Sequence, residues 1–422
     1  MQELLFLAHR IPYPPNKGDK IRSYHLLRFL AQRYVVHLAT FVDDENDWQY
    51  VDTVTALCNG GEVCFRPLRP RMAKVKSLAG LATGEALTLP YYRDSGMRGW
   101  VDSLLARRPV QRAVVFSSPM AQYVEHHAIR RIADLVDVDS DKWTQYAAKA
   151  RWPGSWIYGR EGRRLFDYER KVAGSFDATF FVSPAEAALF HRLAPETATR
   201  VSSFSNGVDT EYFSPDTNYD NPFADSRATI VFTGAMDYWP NVDAVTWFAR
   251  EAFPVVQRAR PDARFCIVGS RPTSQVLELA RLPGVEVTGT VPDVRPYLAH
   301  ARMIVAPLRI ARGVQNKVLE AMAMGRPTLV TPQALEGIDA EPGRELVLAP
   351  EDGAAFGEAA LRLLASDDVA MGHAARDRVM RDYAWSAHLK VVEQALDRTM
   401  SAPRAAGASD GADIAAHGEV VR

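Results

Sequence analysis

The chain has 422 residues, of which 47% are hydrophobic and 24% charged, with a formal net charge of −1. This length exceeds what one hydrophobic core usually accommodates, so we expect a globular protein of two domains. The near-neutral charge argues against general nucleic-acid binding, and three cysteines without metal-ligand spacing argue against a structural zinc site.

The first predicted element is a buried-type strand at Leu4–Ala8, followed by a loop, a helix over 20–33 and a strand at Val35–Phe41. The apolar start is too short for a signal peptide and lacks the basic flank of one. No segment of the sequence is long enough to span a bilayer. These features predict a cytoplasmic protein whose chain opens as a β-loop-α-β unit.

A basic region follows, because cations outnumber anions ten to three between Arg66 and Arg112. Within it, Met72–Ala82 predicts a short helix with apolar residues along one side and lysines elsewhere. Two interpretations are open. Such a helix binds the anionic inner face of the plasma membrane peripherally, or it is a solvated basic face over an ordinary core stripe.

Short apolar runs then alternate with helical patterns to the end of the chain. The predicted strands of the first half are Glu62–Phe65, Ala113–Phe116, Asp134–Val138, Ala178–Val182 and Arg200–Ser203. Those of the second half are Thr229–Thr233, Arg264–Val268, Val285–Val287, Met303–Ala306 and Pro327–Val330, with helices over 244–258 and 276–282.

This alternation predicts an α/β protein made of two doubly wound parallel-sheet, Rossmann-like domains that face each other across a cleft. The domains are placed at residues 1–208 and 227–384, joined by a Pro/Asp/Asn-rich linker at 209–226. A helix over 385–400 is able to cross back to the first domain. Residues 401–422 are too poor in apolar side chains to fold and are expected to be a disordered tail.

The segment Arg312–Thr331 carries the strongest functional pattern. Gly313 leads into a predicted helix whose first turn holds Lys317 and whose next turn holds Glu320, on the same face. A helix N-terminus and a lysine favour a phosphate, and a carboxylate accepts hydrogen bonds from ribose hydroxyls. The pattern is therefore typical of a sugar-nucleotide site, and a salt-bridged pair on a solvated helix is the alternative.

The loop after the first strand, His9–Arg22, predicts a second anion-binding place. Gly18 permits a close approach and Asp19 is able to cap the following helix. Lys17, Lys20 and Arg22 crowd a helix N-terminus, where the dipole disfavours cations, so an anion would relieve the repulsion. In the alternative interpretation, Lys20 and Arg22 simply point to water.

Four motifs together carry a family resemblance: His9–Asp19 (HRIPYPPNKGD), Ser205–Asp209 (SNGVD), Phe232–Asp237 (FTGAMD) and Glu320–Pro327 (EAMAMGRP). In their order and spacing they resemble retaining family 4 glycosyltransferases of the GT-B fold. The opening and Asp137–Trp143 (DVDSDKW) look closest to the sugar transferases associated with PEP-CTERM/exosortase exopolysaccharide clusters. The resemblance covers roughly residues 3 to 395.

The resemblance implies a hexosyltransferase that moves a sugar from a nucleoside-diphosphate sugar to a glycan or polyprenyl-linked acceptor, with retention. It implies that Gly18 faces the donor phosphates and the acceptor, that Gly234 opens the nucleotide site of the second domain, and that Glu320 binds the ribose. The first domain would then be the acceptor side.

Two departures from the family pattern concern the charges of the site. Many members carry a glutamate eight positions before the ribose ligand, where this chain has Arg312. Many also place Arg and Lys soon after the first strand of the second domain, where this chain has Asp237–Asn241 (DYWPN). We therefore expect Lys317, with Arg312 as a second cation, to neutralise the diphosphate.

Lys317 and backbone N–H groups near Gly313 and Gly18 would stabilise the leaving group, so we expect no metal and no cofactor. On the acceptor side the candidate polar groups are His9, Asp137 and Asp139, with Lys142 and Trp143 beyond. We take His9 and Asp137, together with Lys317, as catalytic candidates, while capping or packing roles are open alternatives for each.

Two other classes of function stay open. A nucleotide-sugar epimerase would share the two domains and the nucleotide clamp, but it needs acid and base carboxylates that no pattern singles out. A non-catalytic scaffold of a polysaccharide assembly would explain Arg312 at the position of the missing glutamate.

Overall fold

Two parallel β-sheets organise the protein in the computed structural model, which describes residues 1–15, 18–223, 228–311, 314–366 and 369–398. Arg312, Gly313 and the predicted tail at 401–422 lie outside these ranges. The first sheet precedes the predicted linker and the second follows it. The α/β architecture with two parallel sheets is therefore confirmed.

The N-terminal sheet has seven strands in the order β3-β2-β1-β4-β5-β6-β7. Because β1 pairs in parallel with both β2 and β4, the sequence order reverses between β1 and β4, which is the switch point of this sheet. The strands are β1 (Gln2–Ala8), β2 (Tyr34–Val42), β3 (Val63–Pro67), β4 (Arg112–Phe116), β5 (Arg130–Val136), β6 (Ala178–Phe181) and β7 (Val201–Ser203).

Nine α-helices accompany this sheet in the described part of the first half. They are α1 (Gly18–Ala31), α2 (Val51–Leu57), α3 (Pro70–Ser77), α4 (Ala79–Thr83), α5 (Thr88–Tyr91), α6 (Ser95–Arg107), α7 (Asp139–Lys149), α8 (Gly154–Ser175) and α9 (Pro184–Leu193). Apolar clusters fill both faces of the sheet, as parallel strands covered by helices require.

The C-terminal sheet has six strands in the order β10-β9-β8-β11-β12-β13, with its switch point between β8 and β11. Its strands are β8 (Thr229–Thr233), β9 (Arg264–Val268), β10 (Val285–Gly289), β11 (Met303–Ala306), β12 (Thr328–Val330) and β13 (Val347–Leu348). Its helices are α10 (Trp239–Trp247), α11 (Phe253–Ala259), α12 (Ser274–Leu279), α13 (Arg295–His300), α14 (Asn316–Ala323), α15 (Pro332–Leu335), α16 (Gly353–Ala365) and α17 (Val369–Arg378).

The chain ends, within the described residues, with α18 (Trp385–His388) and α19 (Lys390–Asp397), where the sequence predicted one helix. Trp385 and Leu396 belong to the apolar cluster of the N-terminal sheet. The backbone N–H of Val208 donates to the carbonyl of Tyr383 at 2.8 Å. The segment that leads from the first sheet to the second therefore runs beside the segment that returns to the first sheet. The helices α18 and α19 pack on the first sheet.

The helix predicted over 244–258 is divided in the structure. A π-helical turn at Phe248–Ala252 separates α10 from α11, and Pro254 stands at the second position of α11. Because proline has no backbone N–H, it cannot continue the regular hydrogen-bond pattern of an α-helix, and a wider π-helical turn precedes it.

The basic segment differs from its prediction in the number of its helices, and the exposure of its apolar side chains decides against one of the two interpretations. It forms two short helices, α3 and α4, instead of one. Its apolar residues are exposed, with Met72 at 58%, Val75 at 64% and Leu78 at 56%, so the interpretation as a core stripe is wrong. Across the described ranges, no helix has the length and apolar character needed to cross a bilayer.

Candidate functional site

A cavity of about 420 Å³ lies at the switch point of the C-terminal sheet. Its walls come from the residues that follow β8, β9 and β10 and from the first turns of α14. In open parallel sheets, ligands bind at this place because the loops after the carboxyl ends of the strands diverge there. The lining residues are Thr233, Gly234, Asn241, Gly269, Ser270, Thr290, Val291, Val294, Asn316, Lys317 and Glu320.

Lys317 is the cation of this cavity, and α14 begins one residue before it. Its Nζ donates to Oδ1 of Asn241 and lies 4.2 Å from the centroid of the Phe232 ring. Asn241 is fixed in turn, since its Nδ2 donates to the carbonyl of Ala235 at 2.9 Å. The Nζ atom of Lys317 is therefore held by an amide oxygen and a ring, neither of which carries a negative charge.

Burial lowers the pKa of Lys317 to about 7, although the negative charge of Glu320 opposes the shift. Burial likewise raises the pKa of Glu320 to about 7, against the influence of Lys317. Both side chains are half-buried in the cavity wall. A diphosphate beside Lys317 would restore its charge, because an opposite charge at short range favours the ionised form.

Gly234 and Gly269 leave the floor of the cavity open. A Cβ at Gly234 would lie 2.7 Å from Nδ2 of Asn241 and 3.1 Å from Nζ of Lys317. A Cβ at Gly269 would strike the carbonyl oxygen of Gly234 at 1.6 Å. These positions take glycine because the two loops and the lysine already touch.

The structure thus brings Gly234, Lys317 and Glu320 of the predicted nucleotide site into one cavity. Arg312 and Gly313, predicted to take part, lie outside the described residues. Sequence reasoning missed Asn241, Ser270 and Thr290. Ser270 and Thr290 follow β9 and β10 closely, so the rule that sites lie at strand ends would have found them.

A second cavity, of about 750 Å³, lies at the switch point of the N-terminal sheet. His9 follows β1, Ser117 follows β4 and Asp139 begins α7 after β5, and all three line it. Lys142, Trp143 and the side chains of α3, α5 and α8 complete the wall. Each sheet therefore has a cavity at its own switch point.

His9 is the predicted acceptor-side residue with the most restricted environment. Its ring stacks on Phe116 at 5.6 Å and meets Tyr92 edge-on at 5.9 Å. Its Nε2 lies 3.5 Å from Oδ2 of Asp19. Its buried Nδ1 has no hydrogen-bond partner among the described residues.

Asp19 therefore orients His9, and its carboxylate also accepts a hydrogen bond from the backbone N–H of Lys20 in the first turn of α1. Oδ2 of Asp19 also accepts from Arg10 at 2.5 Å. Burial raises the pKa of Asp19, but the hydrogen bond from His9 and the charge of Arg10 outweigh it and lower the pKa overall. The carboxylate stays ionised and holds the imidazole and the guanidinium together.

Asp137 and Asp139 share one cation. Nζ of Lys142 donates to Asp137 at 2.6 Å and to Asp139 at 3.1 Å. Burial raises the pKa of Asp139 even though Lys142 opposes the shift. Asp139 lines the cavity, whereas Asp137, the predicted catalytic candidate, lies behind Lys142 and does not.

The expectation that Lys20 and Arg22 attract an external anion is wrong. Lys20 is 2% exposed and its Nζ lies 2.5 Å from Oδ2 of Asp47. Arg22 is fully buried and binds both oxygens of Asp134 at 2.7 and 3.0 Å. The alternative, that they point to water, is wrong as well, because internal carboxylates neutralise both cations.

Gly18 begins α1, and a Cβ there would meet no atom within 4 Å. It lines neither of the two cavities.

The described residues contain no group of three or more His, Cys, Asp or Glu side chains arranged to hold a metal ion.

Residues 227–366, which supply the C-terminal cavity, match the family described as glycosyl transferases group 1. Curated protein sequences gave no match to the chain. This match supports glycosyl transfer as the activity, and it spans the C-terminal sheet from just before β8 to the end of α16.

Solved structures show the same fold over nearly the whole chain. A glycosyltransferase from Rickettsia africae has a TM-score of 0.60 and 12% identity, over 94% of this chain and 100% of that one. Anabaena HepE, solved in complex with UDP, has a TM-score of 0.58 and 12% identity, over 93% and 99%. WaaG, a glycosyltransferase involved in lipopolysaccharide biosynthesis, has a TM-score of 0.54 and 15% identity, over 93% and 100%. The two-domain fold is therefore the GT-B fold.

Proposed function

We propose that the protein transfers a sugar from a nucleoside-diphosphate sugar, held in the C-terminal cavity, to a glycan or lipid-linked acceptor in the N-terminal cavity. The observation that carries this proposal is the half-buried pair of Lys317 and Glu320 at the start of α14. The cation suits a diphosphate and the carboxylate suits a ribose. HepE structures with UDP and with UDP-glucose support a donor of this class.

In this proposal Lys317 stabilises the departing diphosphate, with the first N–H groups of α14 beside it. An oriented charge in a partly desolvated place contributes most when charge develops on the leaving group. The reaction then needs no metal, and we propose retention of configuration, with the donor phosphate accepting the proton of the attacking hydroxyl. Arg312, Gly313 and Gly18 would add to the phosphate contacts when the donor is bound.

On the acceptor side, we propose that His9 and Asp139 contact the attacking hydroxyl, with Asp137 acting through Lys142. The stacking of His9 on Phe116 fixes its plane, and His9 lines the cavity in which the acceptor would bind. The same proposal includes membership of retaining family 4 and a role in exopolysaccharide synthesis of the PEP-CTERM type. It also includes peripheral contact with the cytoplasmic face of a membrane.

Transfer from labelled sugar nucleotides, beginning with UDP-glucose, to saccharide and lipid-saccharide acceptors tests the proposal. We expect a transferred product whose anomeric configuration matches the donor, at a rate unchanged by excess EDTA. Activity abolished by chelation and restored by magnesium would overturn metal independence. Release of an epimerised sugar without acceptor would identify an epimerase, and nucleotide binding without any turnover would identify a scaffold.

A further inference from the structure

Exposed apolar side chains are concentrated in two short segments of the N-terminal half. Among the described residues, nineteen large apolar side chains are exposed, and seven of them lie within residues 69–83 and 142–160. Their exposed fractions run from 42% for Leu81 to 81% for Trp152. The seven are Met72, Val75, Leu78, Leu81, Tyr146, Trp152 and Trp156.

The same two segments carry positive charge without negative charge. Residues 69–83 contain Arg69, Arg71, Lys74 and Lys76 and no acidic residue. Residues 142–160 contain Lys142, Lys149, Arg151 and Arg160 and likewise no acidic residue. All of these cations except Arg160 are exposed to solvent together with the apolar side chains, and Lys142 also binds Asp137 and Asp139.

The two segments border one opening, although some sixty residues separate them in sequence. Leu78 of the first and Tyr146 of the second both line the N-terminal cavity. Each is more than half exposed, so both lie where the cavity meets solvent. Arg160 ties the segments together, because its guanidinium donates to the carbonyls of Gly80 at 2.6 Å and Glu85 at 3.0 Å.

We propose that this surface, formed by residues 69–83 and 142–160, docks on an anionic lipid bilayer and turns the opening of the N-terminal cavity toward the membrane. Tryptophans and aliphatic side chains among lysines and arginines suit the interfacial region, where rings and methyl groups enter the lipid and cations contact headgroups. On the proposed function, the acceptor then belongs to the lipid-linked class and enters the cavity from the bilayer surface.

The composition favours lipid over the other partners that a basic surface attracts. Single-stranded nucleic acid stacks on aromatic rings, whereas Met72, Val75, Leu78 and Leu81 offer only aliphatic contacts. Lysine is depleted at protein–protein interfaces, whereas Lys74, Lys76 and Lys149 stand among the exposed apolar groups here.

Co-sedimentation of the full chain with vesicles tests the docking surface. Vesicles of phosphatidylcholine with about one third phosphatidylglycerol should pellet the protein. Vesicles of phosphatidylcholine alone should bind it more weakly, by about tenfold or more. Val75→Gln combined with Trp152→Ser should weaken binding to the anionic vesicles by about tenfold or more, because both side chains leave the lipid. Neither residue lines the N-terminal cavity.

Leu277→Gln combined with Val369→Gln is the matched control, since these side chains are 52% and 62% exposed on the C-terminal half. The control should pellet like the unchanged protein. The proposal is overturned if the unchanged protein stays in the supernatant with anionic vesicles, or if the surface variant and the control pellet equally.

Lipids with brominated acyl chains give a second readout of the same contact. They should quench tryptophan emission in the unchanged protein, and Trp152→Phe with Trp156→Phe should lose most of that quenching. Undiminished quenching in this variant would place the contact elsewhere and overturn the assignment. Titration with UDP, measured without vesicles, should be the same for all variants, so a failure of the donor site is seen separately from a failure of docking.

Discussion

The two cavities differ in how their cations are neutralised. In the N-terminal cavity, Lys142 binds two carboxylates, those of Asp137 and Asp139. In the C-terminal cavity, Lys317 contacts an amide oxygen and a ring. The difference also appears in the pKa values. Burial opposes the charged form of both lysines, but the two carboxylates outweigh it and raise the pKa of Lys142.

For Lys317, burial prevails and the pKa falls to about 7. A cation in direct contact with two carboxylates gains little from a further anion, whereas a desolvated cation whose direct contacts are uncharged gains much. On the proposed function, this difference suits the C-terminal cavity to a diphosphate and the N-terminal cavity to a neutral sugar hydroxyl.

The largest expected effect comes from Lys317→Gln. Turnover should fall by about two to three orders of magnitude, because one oriented charge on the leaving group is lost. The folded protein should lose little stability or gain some, since burial disfavours the ammonium. Steady-state kinetics with UDP-glucose and thermal unfolding measure both quantities.

The control for this variant is Lys171→Gln, which removes an exposed lysine paired with Glu125. It should leave turnover unchanged. Binding of uridine, which lacks phosphates, should be unchanged in Lys317→Gln. Near-normal turnover in Lys317→Gln would show that Lys317 does not stabilise the leaving group, and would contradict the proposed difference between the two cavities.

Glu320→Ala should weaken UDP binding by about 2–4 kcal/mol, because the ribose hydroxyls lose a charged acceptor. Calorimetry measures this loss. Glu358→Ala, on the solvated face of α16, is the comparison variant, and its affinity should equal that of the unchanged protein. Equal affinities for all three proteins would rule out the ribose contact.

Two glycine variants test the phosphate contacts of the C-terminal cavity and of the first domain independently. Gly234→Ala should reduce UDP affinity by about tenfold, because the new Cβ displaces Asn241 and Lys317. Gly18→Ala, whose Cβ meets no atom within 4 Å, should leave UDP affinity and stability unchanged. If Gly18 faces the phosphates during transfer, turnover in that variant falls by about tenfold.

Unchanged UDP affinity in Gly234→Ala would mean that the nucleotide binds outside the C-terminal cavity. Unchanged turnover in Gly18→Ala would show that Gly18 of the first domain makes no contact with the phosphates during transfer.

The smallest effect concerns pH. Binding needs ionised Glu320, which is lost as pH falls through about 7, and charged Lys317, which is lost as pH rises through about 7. UDP-glucose affinity should therefore peak near neutrality and decline roughly threefold one pH unit to either side. Calorimetry across pH should show no acid decline in Glu320→Gln and no alkaline decline in Lys317→Gln. A flat profile for the unchanged protein would contradict the opposing pKa shifts.

Local sequence patterns were sufficient to predict most elements of the fold. The apolar runs at Thr229–Thr233, Arg264–Val268 and Met303–Ala306 became strands with the predicted bounds, because a buried parallel strand needs a short continuous apolar run. The strand β13 was missed, since Val347–Leu348 is too short to show a period. The placement of Lys317 and Glu320 on one face of α14 followed from the helical period alone.

The tertiary structure alone decided which partner each buried cation has. Arg22 binds Asp134, which lies 112 positions away, and Lys317 donates to Asn241, which lies 76 positions away. No local period encodes these pairs, because they depend on which strand ends the order of each sheet brings together. The sequence by itself thus determined the elements and the charged pair of α14. Strand order, and with it the choice of neighbours across the sheet, decided that internal carboxylates neutralise Lys20 and Arg22 while Lys317 contacts an amide oxygen and a ring.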